Sequence, residues 1–192
     1  MAIIVVGGGG RGAGKTALIC GLIHALDEVP WTAVKITSHA HDGAEPIYEE
    51  TVAGEETVAG EETVAGQGTD TARYLAAGAR RAVLVTAQET TLGELVKRIL
   101  TNYAAGGNLI FESNRVLHHL RPDLCLAVAT DLKGNDKPSF QIVERCMDAT
   151  VALAGHDHVI PGDKLHFHLA SLNRISPPML AWIDEKLRDL NP

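Results

Sequence analysis

The feature that most constrains the chain is a glycine-rich segment between two apolar runs near the N-terminus. Residues Gly9 to Thr16 read G-x-x-x-x-G-K-T, the spacing with which a loop wraps backbone N–H groups around a polyphosphate. The apolar run 2–6 is typical of a buried parallel strand, and the run 17–26 is typical of a packed helix. Glycines are needed because such a loop visits backbone conformations that a Cβ atom disfavours. The sequence therefore predicts a strand, a phosphate-binding loop and a helix, in that order.

The motif also assigns roles to single residues. The helix N-terminus after the loop supplies unpaired N–H groups and the positive end of a helix dipole. We expect Lys15 to reach the outer phosphates and the Thr16 hydroxyl to bind Mg²⁺. The alternative is a glycine-rich turn without a ligand, but strand, loop, lysine, hydroxyl and helix together favour a purine nucleoside triphosphate, ATP or GTP. The predicted nucleotide-binding residues are Gly9, Gly10, Arg11, Gly12, Ala13, Gly14, Lys15, Thr16 and Ala17.

The rest of the chain alternates between strand-like and helix-like segments. The predicted strands are 32–36, 82–86, 109–111, 124–129 and 149–154, and the predicted helices are 69–77, 91–103, 139–147 and 177–190. This alternation favours right-handed crossovers and a mainly parallel sheet that is covered on both faces. The predicted fold is α/β, a three-layer Rossmann-like P-loop NTPase fold in a single domain, residues 1–192.

The composition and the apolar runs argue against a membrane-spanning or secreted protein. No apolar run reaches the roughly 20 residues of a membrane span, and the N-terminal run lacks a basic region before it, so we interpret it as a strand and not a signal peptide. Hydrophobic residues make up 45% of the chain and aromatic residues 4%, which predicts an aliphatic core. Cys20, Cys125 and Cys146 lie in apolar segments without metal-like spacing and predict buried free thiols in a reducing cytoplasm. We expect a cytoplasmic protein that does not bind membranes.

The hexad Glu-Glu-Thr-Val-Ala-Gly occurs three times without change, at 49–54, 55–60 and 61–66. Six of the 24 acidic residues lie in these hexads, which leaves 18 acids against 17 bases elsewhere. No basic stripe with interleaved aromatic residues occurs, so no nucleic-acid partner is predicted. A glycine at every sixth position interrupts helical periodicity, so we interpret 42–68 as an expanded surface loop that tolerates removal of two hexads. A lid or docking segment is the alternative.

A phosphate-loop protein also needs a carboxylate near its Mg²⁺ ion. Ligands of such sheets lie beyond the carboxyl ends of the strands, and Glu112 directly follows an apolar run. We therefore expect Glu112 to face a solvated cleft as a metal ligand and, with Lys15, as a catalytic residue. The alternative makes Glu112 an acid at a helix start beside an Asn114 cap. The predicted metal ligands are Thr16, Glu112 and Asp42, with Asp131 as a further candidate.

Nine histidines raise a second metal hypothesis. Three pairs have the spacing i, i+2, which on a strand places both rings on one face; they are His39/His41, His156/His158 and His166/His168. Two such pairs could form a tetrahedral zinc site. No cysteine or third ligand stands at a recognised spacing, so surface histidines in loops are the favoured alternative. We expect the adjacent His118 and His119 to form the exposed flank of a helix.

Taken together, these segments resemble the MobB family, the nucleotide-binding accessory proteins of molybdopterin-guanine dinucleotide biosynthesis. Besides the phosphate loop, the matching features are Lys35 with 39–42, the segment 68–73 followed by 76–79, and Glu112. The resemblance covers roughly the first 130 residues. It implies kinship with dethiobiotin synthetase and the division-site ATPases, GTP binding with Mg²⁺, poor hydrolysis and frequent homodimers. It also implies a cofactor-assembly partner, the transferase that attaches GMP to molybdopterin.

The chain departs from the family at two places. The family usually has Glu-Gly where this chain has Glu112-Ser113-Asn114, which suggests a divergent subfamily with another substrate. The signature lysine of the division-site ATPases is replaced by Gly10. Two function classes stay open. The favoured one is a slow GTPase or ATPase that acts as an adaptor, and the other is a small-molecule kinase or a dethiobiotin-synthetase-like enzyme. An acceptor pocket lined by residues such as Lys35, Ser38 and Arg73 would indicate the second class.

Overall fold

The structure is a computed structural model that describes residues 1–10, 12–38, 47–52, 68–103, 107–129, 138–155 and 164–188. Strands and helices alternate through these residues. The strands are β1 Ile3–Gly8, β2 Trp31–Thr37, β3 Ile47–Val52, β4 Arg81–Thr86, β5 Asn108–Glu112, β6 Leu124–Val128, β7 Ala149–Leu153 and β8 Leu165–Leu169. The helices are α1 Lys15–Ala25, α2 Asp70–Ala76, α3 Glu89–Tyr103, α4 Pro138–Cys146 and α5 Pro177–Arg188, with a 3₁₀ turn at Arg115–His118.

One sheet contains all the described strands, in the order β3-β4-β2-β5-β1-β6-β7-β8. Seven strands run parallel, and β3 runs antiparallel to β4 at one edge. Strand β1 lies between β5 and β6, with Val6 opposite Glu112 and Gly8 opposite Val128. This arrangement confirms the predicted mainly parallel α/β sheet. It also brings Glu112 beside the start of the phosphate loop.

Helices cover both faces of the sheet. Because side chains alternate along a strand, Val5 of β1 joins the core under α3 and α4, whereas Ile4 and Val6 join the core under α1, α2 and α5. Both cores are mainly aliphatic, as the composition predicts, with Trp31 and Tyr74 among the largest fully buried side chains. The loop that connects β1 to α1 therefore stands on a rigid base at the carboxyl edge of the sheet.

Strand β3 corrects the prediction that residues 42–68 form a loop. It pairs with β4 from Ile47 opposite Thr86 to Val52 opposite Arg81, so most of the first hexad is strand. The glycine of each hexad interrupts a helical pattern, but the residues between two glycines include β-branched types that suit a strand. The available edge of β4 supplies the hydrogen bonds. The rest of the predicted insertion, 42–46 and 53–67, lies outside the described residues.

Two further predictions need correction. Strand β8 was not predicted, although Leu165–Leu169 alternates between apolar residues and histidine; it pairs with β7. Of the three cysteines expected to be buried, only Cys125 is; Cys20 is half-buried and Cys146, the last residue of α4, is exposed. Within the described ranges, no helix combines the length and apolar character that a membrane span requires.

Candidate functional site

The loop between β1 and α1 adopts the backbone conformations that its glycines predict. Gly12 and Gly14 have φ angles of 76° and 90°, in the left-handed region that favours glycine. Gly14 also faces Leu172, whose Cδ1 would stand 2.2 Å from a Cβ at position 14. As the N-cap residue directly before α1, Gly14 places no side chain over the first N–H groups of the helix. The loop thus keeps the donor-rich helix terminus that a phosphate needs.

Lys15 folds back over this loop. Its Nζ donates to the carbonyl of Gly10 at 2.7 Å, and its Cγ would lie 3.3 Å from a Cβ at Gly8. The aliphatic stem therefore passes over Gly8, and the ammonium group lies against the loop. This is the place from which a lysine reaches the outer phosphates of a bound nucleotide.

Glu112 is the last residue of β5 and is buried, with 6% of its surface exposed. Its Oε2 accepts from Thr16 Oγ1 at 2.7 Å and from the Tyr74 hydroxyl. Its Oε1 accepts from Lys35 Nζ at 3.0 Å. Glu112 lines the cavity described below, as a cleft-facing residue would. Its carboxylate is nevertheless largely shielded from solvent, because three donors from α1, α2 and β2 surround it.

Lys35 links Glu112 to a second carboxylate, Asp70, at the first position of α2. Lys35 Nζ pairs with Asp70, which also lies 3.5 Å from Arg73 Nη1. Burial lowers the pKa of Lys35, but hydrogen bonds to Asp70 and Glu112 and their charges outweigh it and raise the pKa overall. Burial raises the pKa of Asp70, but the hydrogen bond and charge of Lys35 lower it overall. Both groups are therefore charged at neutral pH.

Tyr74 completes this cluster from the buried face of α2. Its side chain is fully buried, and burial, followed by the negative charge of Glu112, raises the pKa of its hydroxyl far above the usual value. Tyr74 therefore stays neutral and donates to Glu112. Asp70 and Tyr74 stand at i and i+4 on one helix, the spacing that puts two side chains on the same face; that spacing was the available sequence signal for both.

Asn114 does not act as the helix cap that the alternative for Glu112 required. It stands at the cap position of the 3₁₀ turn, but its side chain bonds to Gly8 instead, and Ser113 Oγ accepts from Val116 N at 3.3 Å. Glu112 itself is the last residue of β5, and its side chain accepts from three donors. The alternative prediction, in which Glu112 is an acidic residue at the start of a helix, is therefore wrong.

Arg115 closes the site on the side of β2 and β4. Its guanidinium donates to Glu89 at 2.7 Å and to the carbonyls of Ala87 and Thr37 at 3.0 and 3.4 Å. Burial raises the pKa of Glu89, but the hydrogen bond and charge of Arg115 lower it overall. Arg115 therefore joins the carboxyl ends of two strands to the start of α3.

Many of these residues line a cavity of about 770 Å³. The phosphate loop forms one part of it, and polar residues at the carboxyl ends of β2 and β5 and on α2 form much of the rest. The lining residues that the sequence singled out are Gly9, Gly10, Gly12, Ala13, Gly14, Lys15, Thr16, Ala17, Lys35, Ser38, Arg73 and Glu112. Arg11, Asp42 and Asp131 lie outside the described residues, so their predicted roles stay predictions.

The histidine hypothesis gains no support from the part of the chain that is described. His39, His41, His156 and His158 lie outside that part. His166 and His168 share β8, where His166 Nδ1 shares a hydrogen bond with the Thr150 hydroxyl. Within the described ranges, no three side chains of His, Cys, Asp or Glu are grouped to hold a metal ion. His118 ends the 3₁₀ turn and is exposed, as expected.

Comparison with known proteins defines the class of fold. No family model matches the chain, and no curated protein matches it either. Among solved structures, the chain is similar to LpxK from Aquifex aeolicus in complex with ATP, with a TM-score of 0.52 at 18% identity. The match covers 86% of this chain and 53% of LpxK, so the chain spans about half the length of that protein. The likeness, together with the loop and the parallel sheet, shows that the chain has a P-loop NTPase fold.

Proposed function

We propose that the chain binds a purine nucleoside triphosphate with Mg²⁺ at the loop Gly9–Thr16. The observation that carries the proposal is the 2.7 Å hydrogen bond between Thr16 Oγ1 and Glu112 Oε2. It joins the hydroxyl and the carboxylate that the motif predicts around the ion. Both are hard oxygen donors, the ligand type that Mg²⁺ prefers, so the side chains present fit the ion. Lys15 would contact the outer phosphates.

Among functions for such a site, the geometry favours a small-molecule phosphotransferase. Lys35, Ser38 and Arg73, the residues that would indicate an acceptor pocket, line the same cavity as the phosphate loop. Lys35 lies in β2 near its carboxyl end, Ser38 directly follows that strand, and Arg73 lies on α2. A second substrate bound among them could meet the terminal phosphate. Phosphoryl transfer requires positioning and charge stabilisation more than covalent chemistry by the protein. LpxK, a structure of the same fold, contains ATP.

A MobB-like adaptor is the second candidate, and one observation favours it. The segment 68–73 that carries the resemblance forms the start of α2, where Thr69 Oγ1 accepts from Ala72 N at 3.2 Å and Asp70 lines the cavity. In this candidate the chain binds GTP, hydrolyses it slowly in the cytoplasm and, as a homodimer, assists a molybdenum-cofactor assembly enzyme. ATP and GTP in direct competition distinguish the two candidates, since a clear ATP preference contradicts the adaptor.

Calorimetric titration with Mg·ATP and Mg·GTP tests the proposal, with Lys15→Ala as the decisive variant. We expect Lys15→Ala to weaken binding by roughly 10- to 150-fold, because a hydrogen bond to a charged group contributes about 1.5–3 kcal/mol. Lys97→Ala is the control, because Lys97 is exposed and pairs with Glu94 on the surface of α3. Wild-type protein that binds neither nucleotide contradicts the proposal.

Turnover measurements then separate the two candidates. Hydrolysis is measured with the protein alone and with a panel of small hydroxyl- and amine-bearing metabolites. Strong stimulation by one acceptor, with appearance of the phosphorylated product, supports the phosphotransferase. Slow turnover that no metabolite changes supports the adaptor.

A further inference from the structure

Asn114 makes two hydrogen bonds to a single backbone residue at the start of the phosphate loop. Its Oδ1 accepts from Gly8 N at 2.9 Å, and its Nδ2 donates to Gly8 O at 3.0 Å. The β1–β5 ladder runs only as far as Val6 opposite Glu112. The Asn114 amide therefore takes the place of the neighbouring strand for Gly8, and it satisfies both polar groups of that residue.

The close approach of Asn114 depends on the residue before Gly8. A Cβ at Gly7 would stand 3.0 Å from Asn114 Oδ1 and 2.7 Å from Val143 Cγ2, both closer than normal contacts. The strand end thus has room for the asparagine because Gly7 lacks a side chain. The segment after β5 therefore packs closely against the end of β1.

Gly8 in turn supports Lys15. The Lys15 Cγ atom would lie 3.3 Å from a Cβ at Gly8, so the lysine stem rests on the residue that Asn114 holds. Rotation of the Gly8 peptide would move this support and the loop after it. Small displacements of groups that bind phosphate are costly, because binding depends on their orientation.

We propose that Asn114 is a positioning residue that orients the phosphate loop and Lys15 for a bound nucleoside triphosphate. The inference rests on the proposed nucleotide binding. It assigns to Asn114 a role that neither the motif nor its place at the start of the 3₁₀ turn indicates. Asn114 acts through its two hydrogen bonds to Gly8, the last residue of β1 before the loop.

The experiment compares two asparagines that bond to opposite ends of β1. Asn114→Ala removes both hydrogen bonds to Gly8. Asn108→Ala removes the hydrogen bond that Asn108 Oδ1 accepts from Ala2 N at 2.8 Å. Each variant loses side-chain hydrogen bonds to the same strand, but only the first lies beside the loop. Thermal midpoints of the free proteins and calorimetric affinities for Mg·ATP and Mg·GTP are measured for both variants and for wild type.

We expect Asn114→Ala to weaken nucleotide binding by about tenfold or more, since two hydrogen bonds are lost, while Asn108→Ala keeps wild-type affinity at a lowered thermal midpoint. Asn114→Leu provides a second test that keeps the approximate size of the side chain and adds no charge beside the phosphate loop. It can neither accept from Gly8 N nor donate to Gly8 O, so we expect a loss of affinity similar to that of Asn114→Ala.

The outcomes separate the inference from the function on which it rests. Wild-type affinity in both Asn114 variants, with midpoints lowered as in Asn108→Ala, would overturn the positioning role and leave nucleotide binding intact. Failure of wild-type protein to bind any nucleotide would overturn both. If Asn114→Ala does not fold, the affinity of the uncharged variant Asn114→Leu decides: a loss supports the inference, and wild-type affinity refutes it.

Discussion

At the scale of single residues, Glu112 at the end of β5 contributes both to the packing of the sheet edge and to the proposed Mg²⁺ site. The carboxylate is buried, yet each of its oxygens receives at least one hydrogen bond, from Thr16, Tyr74 or Lys35. Burial of a charge without such partners is unfavourable. The same arrangement that makes the burial tolerable also places the carboxylate next to the predicted Mg²⁺-binding hydroxyl. The fold and the proposed Mg²⁺ site therefore depend on the same side chain.

Glu112→Gln should reveal both roles. The amide NH₂ group cannot accept from a hydroxyl and the ion pair with Lys35 is lost, so we expect the free energy of unfolding to fall by about 1–3 kcal/mol. A carboxylate exposed in a solvated cleft would instead leave the thermal midpoint of the free protein nearly unchanged upon this substitution. Nucleotide affinity should fall mainly when Mg²⁺ is present, because a hard cation prefers the charged carboxylate. Calorimetry with and without a chelator measures that difference.

Tyr74→Phe is the matched control for Glu112→Gln. It removes one donor to Glu112 and keeps the carboxylate charge, so stability should fall while the Mg²⁺ dependence of binding is retained. If Glu112→Gln melts earlier but binds Mg²⁺-nucleotide as wild type does, Glu112 serves the fold alone.

At the scale of elements, alanine substitutions at two helical glycines should have opposite effects on the free energy of unfolding. A Cβ at Gly21 of α1 would stand 2.9 Å from the backbone of both Leu172 and Asn173, whereas a Cβ at Gly93 of α3 would stand 3.1 Å from the side chain of His119. Alanine is favoured over glycine in a helix by about 1 kcal/mol. A side chain can rotate away from the new methyl group, but a packed backbone cannot.

We therefore expect Gly93→Ala to leave the free energy of unfolding unchanged or raise it by up to about 1 kcal/mol. Gly21→Ala should lower it by about 1–3 kcal/mol, the usual cost of overpacking. Urea unfolding of the two variants measures both changes. Equal effects would mean that α1 does not pack against 172–173 as closely as the structure shows.

Strand β3 changes the prediction for the hexads. It ends at Val52, opposite Arg81 at the start of β4, whereas α2 begins at Asp70, which pairs with Lys35 near the carboxyl edge of the sheet. Val52 and Asp70 therefore lie near opposite ends of the parallel strands, and the residues between them must be long enough to span that distance. From Arg81 to Thr86 alone, β4 rises about 17 Å.

Removal of one hexad leaves 12 residue steps between Val52 and Asp70, about 43 Å at most when extended, but removal of two leaves six, about 22 Å at most. We expect the one-hexad deletion to change the free energy of unfolding by less than about 0.6 kcal/mol, the cost of a twofold change in loop length. The two-hexad deletion should be clearly less stable, in contrast to the prediction from the loop interpretation. Urea unfolding of both deletions tests this, and equal stability would mean that β3 is not needed or does not pair as described.

At the scale of the molecule, the sequence predicts local conformation better than it predicts contacts between residues that are far apart in the chain. The phosphate loop, most strands and the parallel order follow from local patterns, because apolar runs and glycines report their own conformations. Strand β3 depends on the edge of β4: the β-branched residues of the hexad suit a strand, but they do not show which strand they pair with. The contacts of Tyr74 and Asn114 are not predicted for the same reason, since their partners Glu112 and Gly8 are 38 and 106 residues away.

The pairing of Lys35 with Asp70 should define the pH range in which the whole molecule is most stable. The pKa of Asp70 is lowered by folding, so its contribution is present above the unfolded value of about 3.9 and is lost as the pH falls through the lower folded value. The pKa of Lys35 is raised by folding. Its contribution is therefore complete below about 10.4 and is lost as the pH rises through the higher folded value.

Urea unfolding across pH tests this with two variants, because each removes one member of the pair. The difference in free energy of unfolding between wild type and Asp70→Asn should be constant near neutral pH. It should shrink below about pH 4, where Asp70 takes up a proton in the unfolded chain but not yet in the folded protein. The difference between wild type and Lys35→Met should persist at low pH until the carboxylates protonate, and it should shrink only above about pH 10. Differences that do not vary with pH in either variant would show that the two charges do not interact in the folded protein. A Lys35→Met difference that already disappears near pH 8 would mean that burial, which lowers the pKa of Lys35, outweighs its two carboxylate partners.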